Sequence, residues 1–389
     1  MSFLFIVVGM TALIYGYTGW RLLTPAHLPL PWNLAAWAGL TLVAALPFLS
    51  FSLRHHLDGV WASLFAWLSY LSLGFFVLLC SLLLLRDLLW LLWGGVERLQ
   101  ALAQTRSLGS PDPVRRNLVL QAANLGTVAL AMAMAGYGFY AARRRPHLEQ
   151  VIVPLPDLPR QLEGLRIAQF SDVHAGPTIK KPQVEAIAAA VEALGADLIV
   201  FTGDLVDGSV EELRPHVEPL SRLRAPLGCY FVTGNHEYYS GVEAWIAEAR
   251  RLGFTVLLNE HRLLCEGHLL LAGVTDYGGG DHHPSHLSDP ETALGSNPPP
   301  GALRLLLAHQ PRSIFAAAEA GYHLQLSGHT HGGQFVPWKY FIPLQQPYVE
   351  GLHHHGGTWV YVSRGAGYWG PPLRVGAHPE VTLLTLRRA

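Results

Sequence analysis

Charge, lysine and cysteine are all scarce in this chain. Only 14% of its 389 residues are charged, against a hydrophobic share of 50% and a mean hydropathy of +0.25. Soluble domains average about 25% charged, so part of this sequence is not built for water. Lysine is confined to Lys180, Lys181 and Lys339, which reads as genome composition. The net charge is −1, so there is no basic excess and no nucleic-acid partner is expected. Three cysteines exclude a disulfide framework. Cys80 lies in an apolar run, and Cys229 and Cys265 either pair or stay as buried thiols.

Long apolar runs are what the first 145 residues do have: Phe3–Leu23, Leu34–Leu53, Trp61–Leu85 with a tail to Trp93, and Leu118–Ala142. About 20 apolar residues cross a hydrocarbon core, so four transmembrane helices are expected and the bilayer is the first partner. A signal peptide is the alternative for the first run, but it lacks a basic start and a small-residue cleavage site. Trp20, Trp32, Trp61, Trp90 and Trp93 flank the runs as interfacial aromatics do. Arg86-Asp87 marks either the exit of the third span or a polar pair inside the membrane. Gly94–Leu108 suits a short helix on the interface.

The arginines near the span ends divide almost evenly between the two sides and do not fix orientation. Pro113–Val119, with Arg115-Arg116, reads either as a twin-arginine export signal or as a plain basic flank. The export reading puts the C-terminal domain outside the cytoplasm of a multi-pass cell-membrane protein. Residues 146–160 carry Pro146, Pro154, Pro156 and Pro159 and read as a linker. The domains are then 1–145, membrane; 146–160, linker; and 161–389, catalytic.

Beyond Gln161 short apolar runs alternate with amphipathic ones. Strands are expected at Leu165–Phe170, Leu198–Thr202, Cys229–Val232, Phe254–Leu258, Leu303–Leu307, His323–Leu326, Trp359–Val362 and Val381–Leu386. Helices are expected at Pro182–Leu194, Glu211–Leu223 and Val242–Leu252, and a hairpin around Glu266-Gly267. Residues 276–301 read as a long loop. The late strands lack helices between them, so the fold class is an α/β domain of two packed sheets flanked by helices, behind a four-helix transmembrane region.

Five strands end in metal-type residues: Asp172-Val173-His174, Gly203-Asp204-Leu205-Val206-Asp207, Gly234-Asn235-His236-Glu237, His309, and Gly328-His329-Thr330-His331. Taken singly, each is ordinary turn chemistry. Five in succession at strand ends point to one site. Carboxylate, imidazole and amide oxygen without thiolate suit Mn, Fe or Zn. So many such groups exceed one ion but suit two divalent ions sharing a carboxylate, an arrangement that clamps a phosphoryl group for in-line displacement.

These motifs, in this order, resemble the calcineurin-like metallophosphoesterases (DxH…GDxxD…GNH(E/D)…H…GHxH). Gly328–Gln334, Gly234–Tyr239 and Ser363–Gly367 resemble a membrane-anchored or exported bacterial branch, which includes enzymes cleaving a UDP-linked lipid A precursor. The resemblance covers the catalytic half only. It implies that Asp172, His174 and His331 hold one metal, that Asn235, His309 and His329 hold the other, and that Asp204 bridges. It also implies that His236 serves the leaving oxygen and that Asp207 orients it.

Several groups keep two readings. Arg364 either binds a second anion of the substrate or caps carbonyls. His353-His354-His355 is a third metal site or a solvated loop. Asp281-His282-His283 and His286 overhang the substrate or form plain surface. Trp338, Tyr340 and Phe341 form an acyl-facing wall or core packing. The expected function is a membrane-anchored phosphoesterase acting on a lipid-linked phosphodiester or pyrophosphate such as a UDP-acylated sugar. The alternatives are an exported hydrolase of nucleotides or small phosphoesters, and a transport or sensor protein with a regulatory phosphoesterase-like domain.

Overall fold

A computed structural model of the chain describes residues 2–53, 59–104 and 112–389. The chain divides into two compact units, residues 1–138 and 139–389.

The first unit is helical: α1 (Ser2–Leu23), α2 (Leu30–Leu53), α3 (Gly59–Ala103) and α4 (Pro113–Arg143), the last running into the second unit. Among the described residues α2, α3 and α4 are long and apolar enough to cross a membrane. Pro113 opens α4, where its missing N–H costs nothing, and Asp112 accepts the Val114 N–H at 3.0 Å. α3 corrects one expectation. It runs 45 residues without a break, so Gly94–Ala103 continues the third helix instead of forming a separate one. Gly94 and Gly95 each cost only about 1 kcal/mol relative to Ala, too little to end an apolar helix. Residues 105–108 of the expected interfacial helix lie outside the described residues.

The helix continues past Arg86-Asp87, and both side chains are tied into the helical unit. Asp87 Oδ1 accepts Arg21 Nη2 at 2.7 Å and Arg86 Nη2 at 2.8 Å, and Tyr17 also donates to Asp87. Arg86 in turn donates to Asn124, whose Nδ2 donates to Arg21 O at 2.9 Å. One polar knot thus joins α1, α3 and α4, satisfying groups that lipid would leave unpaired.

The second unit holds two six-stranded sheets. The first contains β1 (His147–Leu155), β2 (Arg166–Phe170), β3 (Leu198–Phe201), β4 (Cys229–Phe231), β5 (Thr255–Val256) and β12 (Glu380–Arg388), in the order β1-β12-β2-β3-β4-β5. The second contains β6 (Glu260–Leu264), β7 (Leu269–Gly273), β8 (Leu303–Leu307), β9 (Leu324–Ser327), β10 (Gly351–His355) and β11 (Thr358–Val362), in the order β10-β11-β9-β8-β7-β6. Helices α5 (Lys181–Ala193), α6 (Val210–Val217), α7 (Asn235–Ser240), α8 (Val242–Arg251), α9 (Gly279–His282), α10 (Pro290–Leu294) and α11 (Ile314–Glu319) connect them.

Strand alternation builds the layers. Ile167, Leu198, Val200 and Val232 point between the sheets and meet Leu271, Leu305, Leu307 and Leu326. Phe170, Ile199, Phe201 and Phe231 face the other way and share a core with Val184, Ile187, Val191 and Trp245 of the helices. Each such buried side chain stabilises by about 1.5–3 kcal/mol. β2, β3 and β4 run parallel, as do β7, β8 and β9, so within each set the carboxyl ends emerge at one edge.

Three further expectations are corrected. Residues 146–160 are not a linker: His147–Leu155 forms β1, paired in parallel along its whole length with β12. Pro154, the one proline within it, is tolerated because β1 is an edge strand. His353-His354-His355 is strand, not loop, pairing antiparallel with β11. The segment 276–301 carries α9 and α10. Cys80, Cys229 and Cys265 are free thiols.

Candidate metal centre

Each functional side chain follows a strand whose apolar residues are locked in the core. Asp172 and His174 follow β2, Asp204 and Asp207 follow β3, and Asn235 and His236 follow β4. His309 follows β8, and His329 and His331 follow β9. The chain turns sharply at these points. Asp172, His174, Asp204, His329 and His331 have φ between 49° and 73°, a left-handed conformation that non-glycine residues avoid. Motif glycines supply the remaining closeness. A Cβ on Gly234 would lie 2.2 Å from Asp204 Oδ1, and one on Gly328 would lie 2.0 Å from Ser171 Oγ.

The ligand atoms fall into two groups, the buried Asp172–His174–His331 and Asp204–His309–His329, in which His329 is partly exposed. In the first, His174 Nε2 is 3.0 Å from His331 Nε2, and Asp172 Oδ1 is 3.4 Å from His331 Nε2. In the second, His309 Nε2 is 3.1 Å from Asp204 Oδ2 and 3.2 Å from His329 Nδ1. Asp204 Oδ2 also stands 3.6 Å from His174 Nε2, so this carboxylate reaches both groups.

Whether metal fits can be judged from the protons. His309 Nδ1 is 2.7 Å from Thr202 O, a pure acceptor, so Nδ1 carries a proton and Nε2 is the nitrogen turned into the site. His174 Nδ1 faces Asp207 Oδ1 at 3.1 Å with the same consequence. Imidazole nitrogens and carboxylate oxygens this close together need either a shared proton or a cation between them, and a cation would take the place of those protons. Donor–donor separations of 3.0–3.6 Å match the edges of a coordination polyhedron with bonds of about 2.0–2.2 Å. Asn235 Oδ1 is buried with no hydrogen-bond partner, which is the state of an acceptor waiting for a cation. Burial would lower the pKa of His309, but Asp204 outweighs burial and drives it well above the ordinary value. Burial, reinforced by His309, drives His329 down to about 3. The donor set therefore fits a metal centre.

His236 stands beside this set with a different environment. Its Nδ1 is 2.5 Å from Asp207 Oδ1, too short for two ligands of one ion and right for a charge-assisted hydrogen bond. Its N–H donates to Asp204 Oδ1 at 3.0 Å. Burial opposes its charged form, but Asp204 and then Asp207 prevail and lift its pKa to about 9. Asp207 serves two histidines through one oxygen, because His174 binds it as well. The rings of Tyr239 and Trp369 flank His236 at 5.3 and 5.6 Å, and both are more than half exposed.

Arg364 departs from its anion-binding reading. Its Nε is 2.9 Å from Glu350 Oε2, and its Nη1 is 3.1 Å from Glu380 Oε2. Carboxylates already neutralise the guanidinium, so it locks the end of β11. His353, His354 and His355 belong to no metal-type group among the described residues. Trp338 is partly exposed, and Tyr340 and Phe341 are exposed, so none of them is core.

Two residues escaped the sequence reading. Glu237 is fully buried and accepts the N–H groups of Gly234, Asp204 and Leu205 at 2.7, 3.0 and 2.7 Å, fixing the turn that carries Asp204. Arg374 is fully buried. It donates to His331 O at 2.8 Å and lies 3.1 Å from His331 Nδ1, cradling that strained residue. A charged residue between Leu373 and Val375 was the only available hint.

Comparison with known proteins agrees with this geometry. The family model "Calcineurin-like phosphoesterase" matches residues 165–333. A transmembrane protein with metallophosphoesterase domain from Danio rerio is 35% identical over 336 residues, covering 83% of this chain and 74% of its own. The chain belongs to the calcineurin-like phosphoesterases. The Bos taurus protein of the same description is 37% identical, with 84% and 74% covered. A Helicobacter pylori metallophosphoesterase is 36% identical, with 68% and 70% covered. Relatives thus occur in vertebrates as well as bacteria, and the resemblance is wider than a bacterial branch. As a calcineurin-like phosphoesterase the chain is a metal-dependent phosphoester hydrolase.

Proposed function

We propose that this chain is a membrane-anchored phosphoesterase whose centre takes two divalent ions from the set Mn, Fe and Zn. Asp172, His174 and His331 would hold one, Asn235, His309 and His329 the other, with Asp204 between them. Bound there, such ions supply Lewis acidity and a nucleophile of lowered pKa. The chain's own residues do the rest. His236 presents Nε2 to the leaving oxygen and gives it a proton, while Asp207 holds Nδ1–H and keeps the ring aimed. Glu237 and Arg374 stiffen the turns on which Asp204 and His331 stand. The observation that carries this reading is the convergence of His309 Nε2 and His174 Nε2 on Asp204 Oδ2 at 3.1 and 3.6 Å, together with the unpartnered Asn235 Oδ1.

The substrate we infer is a lipid-linked phosphodiester or pyrophosphate, of which a UDP-acylated sugar is one example. Two observations support it: helices able to cross a membrane, and an aromatic rim of Tyr239 and Trp369 beside His236 on the leaving-group side. The membrane region would have four spans, with the catalytic unit outside the cytoplasm. Purified, metal-loaded protein in detergent should hydrolyse a lipid-pyrophosphate extract faster than a phosphomonoester or a soluble phosphodiester. Activity on the monoester alone would remove the lipid-linked reading. Protease added to intact cells should cut the tail near residue 389, and a protected tail would reverse the orientation.

A further inference from the structure

A second set of ligating groups stands where α8 meets the segment 276–301. Glu243, His283 and His286 each offer one donor atom, and the three atoms lie within 4.8 Å of one another. We propose that they form a separate site for one divalent cation of the zinc class. None of the three belongs to the centre described above, so the proposal stands or falls independently of it.

The local geometry converges on a single point. Pro284–His286 is a 3-10 turn preceded by His283. Side chains three apart on such a turn eclipse one another, so His283 and His286 project to the same side, with ring centroids 5.0 Å apart. The turn is fixed from behind. His286 N–H donates to His283 O at 2.8 Å, and Thr275 Oγ1 donates to His286 O at 2.8 Å. His286 Nδ1 is 3.0 Å from the Tyr238 hydroxyl, which aims Nε2 outward at Glu243. An outer hydrogen bond of this kind commonly orients a ligating histidine. His286 Nε2 and Glu243 Oε1 stand 3.6 Å apart. That is too long for a good hydrogen bond and close to the edge of a tetrahedron with bonds of about 2.0–2.1 Å. His283 Nδ1 faces Ser285 Oγ at 3.1 Å, leaving its Nε2 free. Two imidazoles and a carboxylate with an open fourth position suit zinc, or cobalt as a probe.

The site has a mechanical consequence. A cation there would staple the segment 276–301 to α8. Through Tyr238 it would also brace α7, the helix that begins with Asn235 and His236.

The test uses the full chain in detergent, stripped with chelator and dialysed against buffered free Zn2+. Bound metal is measured by elemental mass spectrometry and coordination by the visible spectrum of the Co2+ form. Glu243→Gln with His283→Ala changes two exposed residues, so folding is not at stake. The double variant should bind one equivalent fewer than the native protein. It should also lack the four-coordinate component of the cobalt spectrum, and zinc should no longer protect the segment 276–301 from limited proteolysis. Asp204→Asn, in contrast, should lose metal elsewhere and keep this equivalent. Equal stoichiometry, equal spectra or equal protection in native and double-variant protein would overturn the site.

Discussion

Asp207→Asn is the most informative single substitution, because one carboxylate oxygen serves two histidines with different jobs. Asp207 Oδ1 lies 2.5 Å from His236 Nδ1 and 3.1 Å from His174 Nδ1. Asparagine keeps the shape and loses the charge. A hydrogen bond to a charged group contributes about 1.5–3 kcal/mol and a neutral one about 0.5–1.5, so each bond loses roughly 1–2 kcal/mol. At about 1.36 kcal/mol per factor of ten, the His236 bond predicts a fall in kcat of roughly 5–30-fold. The His174 bond predicts a comparable weakening of metal affinity, overlapping the range of about 10–100-fold seen for outer-sphere partners. Phosphodiester turnover at saturating metal reads the first effect, and a competition titration against a chelator reads the second. Repeating both in a His236→Ala background separates the arms. There Asp207→Asn should still weaken metal binding but should not lower kcat further. An additional loss of kcat in that background, or unchanged metal affinity in either, would refute the shared-carboxylate reasoning.

Four other outcomes follow from the same geometry. His236→Ala should cost about 10²–10⁴-fold in turnover while retaining metal, whereas Asp204→Asn should cost a similar factor and lose part of the metal; equal metal loss in both would erase the distinction. Gly234→Ala should abolish activity in a chain that still inserts and folds, since the new Cβ meets Asp204 Oδ1 at 2.2 Å; full activity would show that the turn can relax. Asp87→Ala should destabilise the helical unit by about 1.5–3 kcal/mol, read as a lower melting temperature in detergent, because Arg21, Arg86 and Tyr17 all lose their acceptor. Chelation should lower the melting temperature of the catalytic unit and Mn2+, Fe2+ or Zn2+ should restore it; a melting curve indifferent to metal would argue against the centre.

What could be read in the sequence was what is encoded within a few residues of itself. Apolar runs such as Leu198–Phe201 and Leu303–Leu307 announce buried strands, and Asp204, His309 and the His329/His331 pair announce themselves by following such runs. The two-sheet architecture was inferred from an apparent lack of helices late in the chain, and α10 and α11, which lie between β7, β8 and β9, were missed because five or six residues are too few to show a helical period. Most other failures share one cause, a partner distant in sequence. β1 carries Pro154, is flanked by Pro146 and Pro156, and reads as linker because its partner, β12, begins more than 200 residues later. β10 is hidden because three consecutive histidines have no alternation of polarity, yet it is held by β11. Arg364 looked available for an anion because nothing nearby in sequence reveals Glu350 and Glu380. Glu237 stood in the third strand-end motif without a role, and only the fold shows it gripping the turn after β3 that carries Asp204. Continuity of α3 was lost to over-reading Gly94-Gly95, whose cost is small beside an unbroken apolar face.

Strain links the fold to the chemistry. Asp172, His174, Asp204, His329 and His331 all hold positive φ, at a cost of about 1–3 kcal/mol each. The total rivals the net stability of a whole domain, about 5–15 kcal/mol, so the turns must be held from outside themselves. Part of the restraint is backbone: His174 N–H to Asp204 O at 3.2 Å and Asp172 N–H to Gly203 O at 3.0 Å. Part is side chain: Asp172 Oδ1 accepts the His329 N–H at 3.0 Å, tying the first motif to the last across the two sheets. Asp172 is thus both a candidate ligand and the clasp between β2 and β9. Replacing it would release strain at His329 as well as remove a donor, so metal loss in such a variant would not report ligation alone. Asn235 ties down less: its Oδ1 has no partner in the protein, and its side chain otherwise bonds the exposed Tyr239, outside the ligand-bearing turns. Asn235→Ala therefore isolates the contribution of a single ligand to metal affinity, with the surrounding turns left intact.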